Sequence, residues 1–492
     1  MSEANRTAVA VVEEVTPGTT PANPAFEAVR VKSANLGYNP QTTVSSELRS
    51  DRQIPDLIKT GFEAGGDLPT ELSYGNLDTL LRGALFSEWV ETPVRYNNGT
   101  ADSKITDVVA GTGVITVLAA AAQAGINVGA FAVGMLVRTS GFTNAGNNFL
   151  KRVTAATATS FTVATAGLVN EAAPPGTARA KVVGFEGAAA DITATATGLG
   201  STALDFTTLG IAVGSWLKVG GSAAGNQFAT AANNDWIRVS AVTAAAITAD
   251  ILPSGWAVDA GAGKSIQVWM GDYLRNGTTK RFFSVELQYQ DLTVPEYEYF
   301  KGMAVNTLSL GVTADEIVQA SVGFAGMSAT NGTAREAGAT DKAAPTNDVI
   351  SASSNVGSIL ENGAAISGAN YVVEASININ NQLRRLRAVG QQAAAGINAG
   401  RGIVTGRLNT YYGSNAILTK IRNGTATSLA MLLKDPSGTK TYHVDLPKIK
   451  FTSGDPSTPG VDTDRMLEMD FQAIRHTTLG YTMQLSRFEE YA

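Results

Sequence analysis

The stretch FSVELQYQ, residues 283–290, alternates strictly between apolar and polar side chains. Successive side chains of a β-strand point to opposite faces of a sheet, so this pattern predicts a half-buried strand. The same alternation returns in VEASININ, residues 373–380, and in LEMDFQA, residues 467–473. Three such segments predict an antiparallel β core with one packed face and one polar face.

Two helices and a hairpin accompany these strands. In NLDTLLRGALFSEW, residues 76–89, leucines and an alanine recur at helical spacing, which predicts an amphipathic helix. SNAILTKIRNG, residues 414–424, predicts a short helix that stops at its glycine, and SLAMLLKDPSGTKTYHVDL, residues 428–446, predicts a hairpin with its turn at 435–438. The expected fold is mainly β: an antiparallel β-sandwich or barrel with one or two flanking helices.

A repeated stretch interrupts this pattern. IAVGSWLKVGGSAAGNQF, residues 211–228, has a looser copy in FAVGMLVRTSGFTNAGNNF, residues 131–149. Both copies contain short Val-, Ile- and Thr-rich segments separated by Gly and Asn turns, which predicts two small β modules, residues 108–190 and 191–271. The alignment matches Ala145-Gly146-Asn147 with Ala224-Gly225-Asn226, and Arg152-Val153 with Arg238-Val239.

The two modules are interpreted as guests in a host domain that consists of residues 44–107 and 272–492. Residues 108–271 carry eight basic and seven acidic side chains, whereas the whole chain has a net charge of −6. Long insertions in a loop are tolerated because the entropy of loop closure grows slowly with length. We therefore expect that deletion of residues 108–271, bridged by a short turn, leaves the host fold and its assembly intact.

Composition excludes several classes of function. The chain contains no cysteine, which excludes disulfides and thiolate metal sites and suits a reducing cytoplasm. Its negative net charge argues against tight binding to nucleic acid phosphates. The N-terminus lacks a signal-peptide pattern. The uncharged run Val108–Val137 contains several glycines, and no Lys/Arg cluster flanks it. No membrane insertion is expected.

No catalytic, cofactor-binding or metal-binding residues are predicted. The only two histidines, His443 and His476, are far apart in the sequence and have no partner motif. The pair Asp462 and Asp464 resembles the start of a calcium loop but lacks its glycine and its closing glutamate. The chain has no phosphate-binding loop, so we expect a protein that is not an enzyme.

The polar faces of the alternating strands have two interpretations. They are ordinary solvated surface, as on many one-sided antiparallel sheets. Alternatively, they line a cavity formed by several subunits, where acidic and amide groups would not hold a polyanion tightly. The candidate lumen-facing residues are Glu286, Gln288, Gln290, Asn378, Asn380, Glu468, Asp470 and Gln472.

Several flanking segments resemble the tail tube proteins of long-tailed bacteriophages. The N-terminal signature is LRSDRQIPDLIKTGFEAGGDLPTELSYGNLDTLLRGALFSEW. The C-terminal half follows in the same order as the family with FFSVELQYQD, MAVNTLSLGVTADEIVQASVGFAG, INNQLRRLRAVG, GIVTGRLNTYYGSNAILTKI, YHVDLPKIKF and LEMDFQA. The resemblance covers roughly residues 44–107 and 277–475.

This resemblance implies a structural virion protein. Six copies would close into a ring, and stacked rings would form the tube through which tape measure protein and then genomic DNA travel. An N-terminal arm, residues 1–43, and a long loop, residues 328–369, are the candidates for clasping the next ring. The resemblance also implies tail terminator and distal tail proteins as partners, and assembly in the cytoplasm of the bacterial host.

The inserted modules are the departure from a minimal tube protein. Ig-like or similar modules decorate the outside of some relatives, and a nearly neutral insert fits an exterior position. The alternative hypothesis is a phage adhesin or decoration protein, in which the repeats bind a host surface component. Electron microscopy distinguishes these hypotheses, because only the first predicts hollow tubes or six-fold rings.

Overall fold

The computed structural model describes residues 3–97, 104–118, 131–366, 371–458 and 460–491. Antiparallel strands dominate these residues, so the prediction of a mainly β fold is confirmed. Part of the first predicted module, residues 119–130, lies outside the described residues. Within the described residues, no helix combines the length and the apolar character needed to cross a lipid bilayer.

The elements follow each other in three groups along the chain. The N-terminal group contains β1 (Thr7–Glu14), β2 (Ala25–Ala28), β3 (Asn35–Val44), β4 (Leu57–Glu71), α1 (Asp78–Leu85) and β5 (Val94–Tyr96). The middle group contains β6 (Ile105–Val109), β7 (Val114–Val117), β8 (Met135–Ser140), β9 (Leu150–Ala156), β10 (Ser160–Val163), β11 (Glu171–Ala172), β12 (Arg179–Glu186), β13 (Thr193–Thr195), β14 (Gly198–Gly200), β15 (Trp216–Val219), β16 (Trp236–Val242), β17 (Ala246–Ile251) and β18 (Gln267–Met270). The C-terminal group contains β19 (Asp272–Arg275), β20 (Phe282–Tyr289), β21 (Glu296–Thr313), β22 (Gln319–Gly326), β23 (Ser328–Gly332), β24 (Thr340–Lys342), α2 (Ala352–Asn355), β25 (Val356–Glu361), β26 (Ala364–Ala365), β27 (Val372–Asn380), β28 (Arg384–Leu386), β29 (Gly396–Asn398), β30 (Ile403–Tyr411), α3 (Ala416–Asn423), β31 (Thr427–Lys434), β32 (Thr441–Phe451), β33 (Asp455–Pro456), β34 (Met466–Ala473) and β35 (Gln484–Phe488).

One layer of the body is an antiparallel sheet in the order β3, β4, β22, second half of β21, β27, β30 and β34. Buried and exposed side chains alternate along β27 and β34, as their sequences predict. The inner side chains pack on the main hydrophobic core. We call the outward-pointing side chains of β21, β27, β30 and β34 the polar sheet face.

The second layer contains β25, β31, the first half of β32, β35 and β19. Strand β32 belongs to both layers, because Thr441–Asp445 pair with β35 whereas Ile449–Phe451 pair with β34. This strand joins the two layers along one edge, as in a partly closed barrel. The core between the layers includes Leu308, Ile377, Leu408 and Met469 from the first and Leu433, Tyr442, Val444 and Leu485 from the second.

Helix α1 packs into this core, and the prediction of a helix here is confirmed. Its buried face carries Leu80, Leu81 and Leu85, each of which stabilises the fold by about 1.5–3 kcal/mol through burial. Gly83 lies directly against the ring of Phe283, where a Cβ atom would collide. The second predicted helix is also present as α3, which ends at Gly424 in the left-handed conformation, with φ of 60°.

The two segments predicted to clasp a neighbouring ring pack on their own chain. Strand β1 pairs with β20 along its whole length, and Val9 and Val11 are buried in the main core. Strand β2 pairs in parallel with β24, which lies in the predicted long loop 328–369. Residues 367–369 of that loop lie outside the described residues. The described residues of the arm up to Leu36 and the described part of the long loop therefore belong to the body of the subunit, whereas residues 37–43 of the arm lie in β3 beyond the supported part of the sheet.

The end of the predicted arm extends away from the body as one strand of a hairpin. Strands β3 and β4 pair from Asn35–Asp67 to Val44–Leu57, but β22 reaches β4 only between residues 64 and 71. Residues 37–62 therefore continue beyond the sheet as a two-stranded unit, which we call the projecting hairpin. Its outer part exposes five large apolar side chains: Val44, Leu48, Ile54, Leu57 and Ile58.

The two repeats form a single structural unit. Their strands belong to one sheet, in which β12 of the first repeat pairs with β18 of the second. Their buried side chains, from Ile105 to Met270, form one continuous cluster. We call residues 105–270 the insert. Because the repeats share a sheet and a core, the insert is one domain rather than two separate modules.

The structure corrects the alignment of the repeats. Asn147 bonds both backbone groups of Val169, at 3.0 and 2.9 Å, and Asn233 does the same with Ala257, at 2.9 and 2.8 Å. Asn147 is therefore equivalent to Asn233, and the predicted match with Asn226 is wrong. Asn226 instead donates to the carbonyl of Ser265, at 3.0 Å.

The extra residues of the second repeat lie in its first loop. Gly134 and Gly214 are equivalent, since they donate to Val153 and Val239, and their offset is 214 − 134 = 80. At Asn147 and Asn233 the offset is 233 − 147 = 86. Six additional residues therefore lie between these points, in the Gly/Ala-rich stretch that misled the alignment.

Candidate functional site

Five of the predicted lumen-facing residues lie together on the polar sheet face. These residues are exposed, and they alternate with buried neighbours: Asn378, Asn380, Glu468, Asp470 and Gln472. Gln290 is also exposed, but it follows β20 and lies outside this face. The alternation of the sequence therefore located one exposed polar surface on β27 and β34.

Glu286 and Gln288 do not belong to any exposed face. Both are buried in the described chain, so the expectation that they line a lumen is corrected. The Glu286 carboxylate accepts from both Nη2 and Nε of Arg335, at 2.8 and 3.0 Å, and from the hydroxyl of Tyr299 at 2.8 Å. The N-terminal strands and residues 328–342 cover this face of β20, which converts a polar strand face into a buried ion pair.

The polar sheet face is continuous across four strands. One row of cross-strand neighbours runs from Ser309 on β21 through Asn378 on β27 and Thr405 on β30 to Gln472 on β34. In the next outward-facing row, two residues further along each strand, Arg407 stands between Ser376 and Asp470. Hydroxyl, amide and charged side chains therefore fill its centre, and large apolar side chains lie at its two ends, where Ile403 stands opposite Asn380 and Tyr411 opposite Met466.

Carboxylates outnumber cations on this surface. Glu374, Glu468 and Asp470 project from β27 and β34, and the one arginine of these rows, Arg407, is paired with Glu468. Within the part of the chain that the structure describes, no group of three or more His, Asp or Glu side chains could hold a metal ion. At the edge of this surface, exposed Lys450 of β32 stands opposite Gln472. The rows on β27, β30 and β34 are therefore weakly acidic, and their single cation, Arg407, is already paired.

The insert packs on the opposite side of the body from the polar sheet face. The indole of Trp216 lies against the imidazole of His443 on β32, with ring centroids 4.2 Å apart, and Trp236 contacts the same ring at 5.4 Å. Leu432 and Phe488 of the second layer join these indoles in one buried cluster. We call this contact the insert junction. Trp216 thus anchors the insert to the body.

A buried ion pair crosses the insert junction. Arg238 of β16 donates to Asp445 of β32 at 3.1 Å and to Asp250 at 2.9 Å. Tyr481 donates to the same Asp445 carboxylate at 2.8 Å. Burial raises the pKa of Asp445 in spite of the adjacent guanidinium. Arg238 and Asp445 are almost fully buried, so Asp445 depends on Arg238 for compensation of its charge, whereas Arg238 also pairs with Asp250.

A second ionic network links the insert to the C-terminal strand. Lys181 of β12 contacts Asp272 at 2.6 Å and Glu489 at 2.8 Å, and Arg487 of β35 reaches Asp272 at 2.9 Å. Burial alone would raise the pKa of Asp272, but Lys181 and Arg487 hold it below its ordinary value. Arg138 of the insert also pairs with Glu490, so insert and body are joined at several charged contacts.

The burial of His443 predicts a pH dependence of stability. Burial and, to a lesser extent, the charge of Arg238 lower the pKa of His443 to about 3. The unfolded chain binds a proton at this histidine near pH 6.5, and the folded chain does not until about pH 3. Lowering the pH through this window therefore favours the unfolded chain, by at most about 1.4 kcal/mol per pH unit.

Urea unfolding at pH 7, 6 and 5 tests this prediction. We expect the His443→Gln variant to lose this part of the pH dependence. His476→Gln changes a half-buried histidine whose pKa burial also lowers, so it should remove only its own contribution and keep that of His443. An unchanged pH slope in His443→Gln would contradict the assignment.

Sequence reasoning missed two features of the structure, the insert junction and the projecting hairpin. The insert junction joins residues from the repeats with residues from the C-terminal hairpin, and sequence alone does not show that they meet. The projecting hairpin contains the RQIPDLI motif. Apolar residues of this kind are usually buried, but in the single chain Ile54, Leu57 and Ile58 are exposed. The signal that could have revealed it is the presence of several large apolar residues without strand alternation.

Comparison with known protein families supports one assignment. A family model described as "Phage tail tube protein" matches residues 4–473 of the chain. The match includes the insert and nearly all of the body. No curated protein matches the chain significantly.

Proposed function

The chain belongs to the phage tail tube protein family, and we propose that six copies close into a ring and that stacked rings form the tail tube. A member of this family is a structural component of the virion that assembles with copies of itself. In our proposal, the polar sheet face lines the lumen and the insert decorates the exterior.

The observation that carries this proposal is the position of the two surfaces on opposite sides of the same body. The outward side chains of β27 and β34 point away from the main core on one side. The insert contacts β32 and β35 on the other side, through His443, Asp445 and Phe488. If one of these surfaces faces a lumen, the other faces outward.

Electrostatics supports the polar sheet face as the lumen wall. Carboxylates repel the phosphates of DNA, and a surface without a cationic cluster releases no counterions when DNA passes. Tape measure protein and then genomic DNA would pass through without sequence-specific contacts. Tail terminator and distal tail proteins would complete the tube, which would assemble in the cytoplasm of the bacterial host.

The projecting hairpin supports contact between copies. An isolated two-stranded hairpin is marginally stable in water, and exposed apolar side chains of this size mark interaction surfaces. Leu48 and Ile54 are largely exposed in the single chain, at 104% and 70%. In the assembled tube they would be buried against another subunit.

Single-cysteine labelling tests the proposed orientation. The natural chain has no cysteine, so Gln472→Cys on the polar sheet face and Val258→Cys on the insert each create a unique thiol. In assembled tubes, a maleimide on a polymer too large to enter the lumen should label Val258→Cys and spare Gln472→Cys. In the dissociated subunit both thiols should react.

Equal labelling of both thiols in intact tubes would overturn the orientation. Negative-stain microscopy of the purified protein provides the assembly readout, with hollow tubes or six-fold rings expected. Monomers or trimers that form no tube, even with tail partners present, would favour the adhesin or decoration alternative.

A further inference from the structure

The strands of the first layer define two opposite ends of the subunit. At one end, the connection from β27 to β30, residues 381–402, lies beside the projecting hairpin: Arg387 contacts Glu63 at 2.7 Å, and Phe62 donates to the carbonyl of Gln392 at 3.3 Å. At the other end lie the connection 314–318, after β21, and the connection 452–465, before β34. Antiparallel pairing places these two groups of loops a full strand length apart.

The hairpin end is cationic. Residues 381–402, which we call the arginine loop, contain four arginines and no acidic residue. Arg385 and Arg387 contact Glu63, so the loop is tied to the projecting hairpin. Arg384 and Arg401 are exposed, and neither has an ion-pair partner among the residues that the structure describes. Leu386 and Val389 of the same loop expose apolar side chains.

The opposite end is acidic. Its two connections carry five carboxylates, all exposed, and a single arginine: Asp315, Glu316, Asp455, Asp462, Asp464 and Arg465. The guanidinium of Arg465 lies over the ring of Tyr412, 4.7 Å from its centroid. None of the five carboxylates forms an ion pair within the described ranges. We call these two connections the acidic end.

We propose that the arginine loop of one copy docks on the acidic end of a second copy, so that complementary charge sets the head-to-tail direction of stacking. This inference rests on the proposed function, because it requires rings that stack. Contact between two different surfaces of the same subunit generates an open filament instead of a closed pair. Contact between like ends would place four arginines opposite four arginines, or five carboxylates opposite five, which repel.

The same geometry explains why Arg384, Arg401 and the five carboxylates have no ion-pair partner among the described residues of the subunit. An exposed ion pair contributes only about 0–1 kcal/mol, but a ring interface repeats it in every subunit. Exposed pairs are also screened, with a Debye length of about 10 Å at 0.1 M salt. Ring stacking should therefore weaken as salt concentration rises.

Charge reversal tests the proposal in the full chain. The first variant carries Arg384→Glu with Arg401→Glu, the second carries Asp315→Lys with Glu316→Lys, and the third combines all four changes. A control with Lys151→Glu and Lys264→Glu makes a charge change on the insert equal to that of the first variant. Thermal melting verifies that each variant folds, and microscopy measures ring formation and tube length.

We expect the first and second variants to form rings but to lose at least about tenfold in the association constant of ring stacking, equivalent to about 1.4 kcal/mol per stacking step, which appears as shorter tubes. The third variant, and an equimolar mixture of the first and second, should recover long tubes. Tubes of normal length in the first and second variants, or no recovery in the third, would overturn the proposal while the tube function stands. A wild-type chain that forms neither rings nor tubes would overturn the proposed function instead.

Discussion

Deletion of residues 108–271 is expected to leave an insoluble or strongly destabilised chain. The deletion exposes the body side of the insert junction, where Leu432 and Phe488 are buried under Trp216 and Trp236. Exposure of each large apolar side chain costs about 1.5–3 kcal/mol. This structure-based expectation is the opposite of the one that the sequence supports, in which the repeats are removable guests.

The buried charges add to this loss. Asp445 loses Arg238, and Asp272, which remains at the new end of the body, loses Lys181. The deletion opens this face to water and Asp272 keeps Arg487 at 2.9 Å, so the lost ion pairs cost less than the roughly 3–5 kcal/mol typical of a charge that stays buried. Because whole domains are stable by only about 5–15 kcal/mol, these losses together are comparable to the total stability.

A repaired deletion provides the matched control. The same deletion with Leu432→Thr, Phe488→Thr, Asp445→Asn and Asp272→Asn removes the exposed apolar groups and the carboxylates that have lost a cation. We expect it to be more soluble than the simple deletion, as measured by the soluble fraction after expression and by size-exclusion chromatography. A simple deletion that is soluble and melts at the wild-type temperature would show that the junction contributes little.

The Arg238→Ala variant is expected to lose about 3–5 kcal/mol of unfolding free energy, because it leaves Asp445 buried without its cation. The repeats provide an internal control. Arg152 occupies the equivalent position in the first repeat, but it donates to the backbone carbonyl of Glu186 and has no ion pair among the described residues. We expect Arg152→Ala to cost less than about 1.5 kcal/mol, the usual value of one hydrogen bond.

A double-mutant cycle separates the pair from general damage. Arg238→Ala combined with Asp445→Asn should be more stable than Arg238→Ala alone, since no uncompensated charge remains. Urea unfolding curves at pH 7 supply all four free energies. Equal losses from Arg238→Ala and Arg152→Ala would contradict the importance of the charged contact across the junction.

Local elements of this fold follow from the sequence because their signals are short-range. The spacing of Leu77, Leu80, Leu81 and Leu85 identifies α1, and alternation identifies β20, β27 and β34. Each signal depends on neighbouring residues that share one face of a helix or strand. The exposed residues Asn378, Glu468 and Asp470 could be located in this way.

The same reasoning failed where a second chain segment covers a strand. Glu286 and Gln288 alternate in the same way as Asn378 and Asn380, but residues from the N-terminus and from 328–342 bury them. Arg335, 49 positions away, supplies the charge that makes this burial possible. Alternation identifies two faces of a strand and does not show what packs on each face.

The sequence by itself determined the mainly β class, the helices, the interrupted body and the duplication of the inserted repeat. Only the tertiary structure decided the register of the two repeats, the fusion of the insert to the body through Trp216 and Arg238, and the separation of cationic and acidic ends. The physical reason is distance along the chain. Periodicity records whether a residue prefers a core or water, whereas Arg238 and Asp445 are 207 positions apart and meet only when the whole chain has folded.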